Sequence, residues 1–199
     1  MKKEEMENLL HIQKHTLYVV VAWKYIREEL WDRDLLDEEE FEKTNRLITW
    51  HDTSKVTKEE WGAYSERLYG DNKSDPNIKA NFKEAVKKHK ERNLHHYESL
   101  RDYKGDDWKC YVVELVCDYI AMGWELDNYI LEYYDKVKDE INLPPEYKSY
   151  LETILSILRE DSLSAVEKPI TNEFISEMLY KDTILIEKKY TFHNNQGQE

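Results

Sequence analysis

Apolar residues along most of this chain recur every three to four positions, the spacing of one face of an α-helix. Ile12, His15, Val19, Ala22 and Ile26 share such a face and predict a first long helix over about residues 4–30. A second helix runs from about Glu38 to the "WHD" at 50–52, with Phe41, Ile48 and His51 roughly aligned. Thr57 followed by Glu60 has the form of a capping box and opens a third helix through "KEEWGAYSERLY". The segment "GDNKSDPN" is a loop. A fourth helix, about 77–92, places Ile78, Phe82, Ala85, Val86 and His89 on one face. Asn93 is positioned to cap a new turn beginning at His95 and His96. After the turn "YKGDD", Asp107 is a candidate cap for one long helix from Trp108 to about Glu140. Pro144 and Pro145 suit the start of a further helix ending near Glu160.

The fold class implied is all-α, with residues 1–161 forming a helical domain. Residues 162–199 form a C-terminal extension in which "TNEFISEMLY" suits a short helix, while "TILIEKKYTF" suits a strand or a continuing helix. Only five Gly and four Pro argue against a β-rich or disordered chain. The N-terminus lacks the apolar core of a signal peptide, and no apolar run reaches bilayer length, which points to a cytoplasmic protein without membrane contact. Cys110 and Cys117 lie seven residues apart on one predicted helix, too far for a disulfide, and read as reduced core residues. A formal net charge of −13 weighs against duplex nucleic acid as a partner, because phosphate contacts need a basic surface. A metal ion or a local lysine can still invert that field for a small anion. The 15 Tyr and 6 Trp are mostly packing residues.

Candidate chemistry emerges once the polar residues on apolar faces are collected. His15 lies in the stripe of the first helix and His89 in that of the fourth. Asp118 lies three residues after Leu115 and four before Met122, so it too points inward. His51 and Asp52 end the second helix. Each alone has an ordinary explanation as a hydrogen-bonded core group, a cap or an ion-pair partner, since buried polar groups are costly unless paired. Together they direct His and carboxylate, the donors that suit Zn, Mn and Fe, from four helices to one interior. The pair His95–His96 offers two more. His96 would align with His89 if the fourth helix ran on, and would not if Asn93 breaks it. His11 reads as solvent-facing or supporting, and His193 belongs to the polar tail.

The order His15, His51–Asp52 with Lys55, His89, His95–His96 and Asp118 resembles the HD metal-dependent phosphohydrolase superfamily. "HDTSK" is similar to its HD-x-[GS]-K signature, and the intervening histidines resemble the members that hold two metals. The blocks "HTLYVVVAWKYI", "WHDTSKVTKEEWGAY", "NLHHYE" and "ELVCDYIAM" are similar to an uncharacterised family of small phage and bacterial HD-like proteins. The GYP element of one dinuclear subgroup is absent, so a cyclic dinucleotide substrate does not follow.

The resemblance implies an HD-like helical bundle in which His15, His51, Asp52 and Asp118 bind one divalent ion. Asp52 then bridges to a second ion held by His89 with His95, His96 or both. The ions implied are Mn, Fe, Zn, Ni or Mg, one or two in number, and the reaction is hydrolysis of a small nucleotide or related phosphoester. Lys55 is placed to reach a phosphate oxygen or to pair with Asp52, and equally to favour a helix C-terminus. Glu114, one turn before Asp118, could receive the proton of a ligand histidine or face solvent. Lys58, Lys88 and Arg92 are possible substrate-anion contacts on faces that charge usually keeps solvated. The alternatives are a phage-type protein that sequesters an intact nucleotide, a di-iron oxygenase on the same scaffold, and a helical module with a vestigial site. The extension suggests a possible homodimer.

Overall fold

A computed structural model describes residues 1–160, and within them every regular element is helical. The elements are α1 (Lys3–Asp32), α2 (Glu38–Thr49), a 3-10 turn (Thr53–Val56), α3 (Lys58–Tyr69) and α4 (Pro76–Arg92). They continue with α5 (Tyr97–Leu100), α6 (Trp108–Glu125), α7 (Ile130–Val137) and α8 (Pro145–Glu160). The protein is all-α over this span. The extension predicted over 162–199, with His193 and the helix-or-strand segment, lies outside the described residues.

Helix α6 is the centre of the fold. It is apolar around nearly its whole circumference, as expected of a helix buried on all sides. It packs against α1, α2, α5, α7 and α8, while α1 also packs on α3 and α2. Val112, Val113, Leu115 and Val116 are fully buried. Each such side chain contributes about 1.5–3 kcal/mol through the area it removes from water. Cys110 and Cys117 are free thiols in this core, matching the sequence reading.

Helix starts follow local chemistry only in part. Asp37 and Glu40 form a reciprocal capping box, with Glu40 N–H donating to Asp37 Oδ1 at 2.8 Å. Asp75 accepts the Asn77 N–H at 2.7 Å, and Pro76 sits at the first position of α4. The box expected at Thr57–Glu60 does not form, because Thr57 makes no side-chain cap and Glu60 turns inward. Nor does the Asp107 side chain cap α6; it pairs with Lys43 and accepts from the Tyr103 hydroxyl.

The long helix expected from Trp108 to Glu140 is two helices. Chain direction changes over residues 126–129, where Asp127 adopts φ 51° and the Asn128 N–H donates to Gly123 O at 2.8 Å. Gly123 permits this, since a Cβ there would stand 2.6 Å from the Asn128 carbonyl oxygen. Apolar periodicity could not reveal the break, because α7 buries Ile130 and Tyr134 and so continues a buried stripe after the turn.

Candidate metal centre

Five separate stretches of backbone feed one interior point. His15 projects from the middle of α1, and Glu114 and Asp118 stand one turn apart on α6. His51 and Asp52 lie just beyond α2, in the turn leading to the 3-10 segment. Asp52 has φ 61° and ψ 14°, a left-handed conformation that aspartate tolerates better than most residues. This reversal lets the neighbouring side chains of His51 and Asp52 converge, which they could not do inside a helix. His89 lies in the last turn of α4. Asn93 ends that helix in an extended conformation and bonds back to His89 O at 2.7 Å and Ser54 Oγ at 3.0 Å. His95 and His96 therefore approach on extended chain, not as a continuation of α4.

The donor atoms form three overlapping trios: His15, His51 and Asp118; His89, His95 and His96; and His51, Asp52 and His95, which links the other two. Around Asp52 Oδ2, His15 Nε2 lies at 3.7 Å and His51 Nε2 at 3.6 Å. Asp118 Oδ1 completes that group at 3.0 Å from His15 Nε2 and 3.7 Å from His51 Nε2. Around Asp52 Oδ1, His89 Nε2 lies at 3.0 Å and His95 Nε2 at 3.6 Å. The His96 ring packs against those of His95 and His89, with centroids 4.3 and 4.9 Å apart. Within each trio the ligand atoms lie inside 4.8 Å of one another. Such separations suit donors that share an ion through bonds of about 2.0–2.2 Å. His51 Nε2, Asp52 Oδ1 and His96 Nε2 are buried yet make no hydrogen bond, although buried polar atoms rarely go without a partner. These largely buried His and Asp clusters could hold a metal ion.

The opposite nitrogens are held by acids. Glu114 Oε1 meets Nδ1 of both His51, at 3.0 Å, and His95, at 3.1 Å. Glu60 Oε2 meets His89 Nδ1 at 2.9 Å, beside the Ser54 hydroxyl at the same distance. Glu125 Oε1 is 3.4 Å from His15 Nδ1, long for a hydrogen bond. A carboxylate within 3.1 Å of Nδ1 of His51, His89 and His95 favours the proton there and the lone pair on the inward Nε2, as in carboxylate–histidine–metal sites, whereas His15 Nδ1 has only the longer approach of Glu125.

Electrostatics reflect this crowding. His15, His51, Asp52, His89, His95, Glu114 and Asp118 are all 8% exposed or less, so their charges must be balanced locally. Burial alone would raise the Asp52 pKa, but His51, Lys55 and His89 outweigh it and hold the carboxyl well below its usual range. Asp118 is likewise held well below, burial being outweighed by His15 and His51. Glu114 is drawn down to about 2 because His51 and His95 overcome its burial. The same carboxylates overcome burial of the imidazoles, so His15 is raised and His51 is raised well above the ordinary value. His96 goes the other way, to about 3, through burial and its histidine neighbours.

A cavity of about 400 Å³ opens onto the centre, a volume suited to a small ligand. His15, Asp52, His89, His96 and Asp118 line it, together with Tyr64, Tyr119 and Tyr133. Lys55 lines it and bonds Asp52. Met122, read from sequence as a core position, is 38% exposed and also lines the cavity, since the Asp118 stripe faces this space. Lys58, Lys88 and Arg92 are not among the lining residues. Lys58 is exposed, Lys88 pairs with Glu84 at 3.8 Å, and Arg92 lies 3.7 Å from Glu59 and Glu60. His11 is half-buried against Tyr69.

Sequence reading did not find Glu60, Glu125, Ser54, Asn93 as a ligand-positioning group, or Lys90 in the cavity wall. Glu60 carried a competing local signal as a cap, and nothing in its own surroundings pointed to a histidine 29 residues away. No curated protein and no solved structure matches the chain. Residues 4–157 do match the model of a family of unknown function, DUF5662, and the chain belongs to that family.

Proposed function

We propose that this protein is a divalent-metal-dependent phosphohydrolase of HD type, acting on a small nucleotide or related phosphoester. The observation that carries the reading is the fork at Asp52, whose Oδ2 faces His15 and His51 while its Oδ1 faces His89 and His95. His15, His51 and Asp118 with Asp52 Oδ2 would hold one ion, and His89, His95 and His96 with Asp52 Oδ1 a second. Five imidazoles favour Zn, Mn, Fe or Ni over Mg, which prefers oxygen donors. Divalent ions at such a site acidify water and take up the charge that grows on phosphoryl oxygens.

The remaining work belongs to the chain itself. Asp52 pairs with Lys55, and that pairing overcomes burial and raises the lysine's pKa, so it stays a cation at neutral pH. A phosphoryl oxygen entering the cavity meets that ammonium in the wall. Glu60, Glu114 and Glu125 hold the imidazoles in their inward orientation, and the tyrosine walls limit water around the ligand.

Elemental analysis of purified protein, followed by phosphate release across a nucleotide panel with Mn²⁺, tests the reading. Metal should be present at up to two equivalents, and Asp52→Ala should lose both metal and turnover. Protein that takes up no Mn²⁺, Fe²⁺ or Zn²⁺ would sink it, and tight binding of intact nucleotide without turnover would replace hydrolysis with sequestration.

A further inference from the structure

Each acid behind the centre serves one histidine, except Glu114. Its Oε1 lies 3.0 Å from His51 Nδ1 and 3.1 Å from His95 Nδ1; His51 groups with His15 and Asp118, His95 with His89 and His96, and the two meet in a third group with Asp52. We propose that Glu114 is a shared positioning residue that ties the two metal positions into one unit. The inference rests on the dinuclear reading above and adds a residue role to it.

An ionised carboxylate only accepts hydrogen bonds, so both Nδ1 atoms must donate to it. With a proton on Nδ1, each neutral ring presents its Nε2 lone pair to the interior, one toward Asp52 Oδ2 and the other toward Asp52 Oδ1. The His51 and His95 rings also lie against each other, with centroids 4.3 Å apart, so neither reorients without disturbing its neighbour. Glu114 itself is 4% exposed and comes from the rigid middle of α6. One oxygen thereby sets the tautomer and the aim of a ligand at each position. Glu60, by contrast, reaches only His89, and Glu125 only His15.

The role separates from general stability in a Mn²⁺ titration followed by electron paramagnetic resonance, which counts bound ions and distinguishes coupled pairs from single ones. Wild-type protein should bind two ions as a spin-coupled pair. Glu60→Gln should weaken one position by roughly 10–100-fold, the usual cost of losing such a partner, and leave a single tightly bound ion. Glu114→Gln should weaken both positions by that order and leave neither at wild-type affinity. Retention of one wild-type position in Glu114→Gln overturns the proposal while leaving the dinuclear reading intact. Failure of wild-type protein to bind any Mn²⁺ overturns both. Should Glu114→Gln not fold, long-range ¹H–¹⁵N spectra of the Zn²⁺-loaded wild type decide the question. Both His51 and His95 should show a slowly exchanging Nδ1 proton shifted far downfield, as expected of donation to a carboxylate, and a fast-exchanging Nδ1 proton on either overturns the proposal while leaving the dinuclear reading intact.

Discussion

Asp52 occupies a backbone conformation that costs an L-residue of order 1 kcal/mol, and it does so where two donor groups meet. Strain of this kind persists when surrounding contacts over-determine it, as Lys55 and four histidines do here. The protonation of those histidines has a consequence for ion binding. His15 and His51 have raised pKa values, burial being outweighed by Asp118 for the first and Asp52 for the second, so without metal both lean toward imidazolium near neutrality. The favourable pairing this represents is complete below the ordinary histidine value of about 6.5 and is lost as pH rises through the raised values. An ion needs the lone pairs those protons occupy, so its binding must expel them. His96, lowered to about 3, has no proton to give at neutral pH. Zn²⁺ added to weakly buffered protein near pH 7 should therefore release protons, and affinity should strengthen from about pH 6 to about pH 8. Calorimetry in buffers of different ionisation enthalpy measures the release directly. Binding with no proton release would mean the imidazoles are neutral beforehand and the site is electrostatically different from this description.

Two glycines show how the helices constrain one another. Gly62 lies exposed in α3, and a Cβ there would meet nothing within 4 Å. Gly62→Ala should stabilise by about 0.5–1 kcal/mol through helix propensity, raising Tm by roughly 1–4 °C. Gly123, in α6, would gain the same propensity, but its Cβ would press to 2.6 Å from the Asn128 carbonyl oxygen. Overpacking typically costs about 1–3 kcal/mol, which exceeds the gain, so Gly123→Ala should lower Tm by a few degrees. Thermal unfolding of the two variants, followed by circular dichroism, makes the comparison, and equal stabilisation by both would refute the close approach. That approach also marks the limit of sequence reading. Inward placement of His15 and His89 was legible because each shares a 3.6-residue stripe with apolar neighbours. The break after α6 was not, because Gly123 matters only through an oxygen that folding brings to it. Glu60 and Glu125 escaped for the same reason, since their significance lies in His89 and His15, on other helices. His51 and Asp52 were legible as the end of the second helix, and their convergence comes from the left-handed Asp52.

At the scale of the whole molecule, the centre and the surface pull on an anion in opposite directions. Glu60 is met by Arg92 at 3.7 Å, which leaves Asp52, Glu114, Asp118 and Glu125 around the centre with Lys55 bonded among them. Once ion binding has expelled the imidazolium protons, four carboxylates against one ammonium contribute three negative charges for the ions to balance. One divalent ion would keep the centre negative, whereas two would leave it with a single positive charge suited to a phosphate. Beyond the cavity, however, the chain carries a formal charge of −13, which repels the same phosphate at long range. Salt separates the two fields by distance. At about 0.01 M ionic strength the Debye length is about 30 Å, so an approaching anion feels the net charge of the protein. Near 0.15 M it is about 8 Å, and the ligand responds chiefly to what lies at the cavity mouth. Association of a nucleoside monophosphate with Mn²⁺-saturated protein should accordingly accelerate as salt rises over this range, the reverse of a basic nucleotide-binding surface. Stopped-flow measurement across the series provides the check. An association rate that falls with salt would show that a positive surface steers the ligand, and it would place the binding site elsewhere than this acid-surrounded cavity.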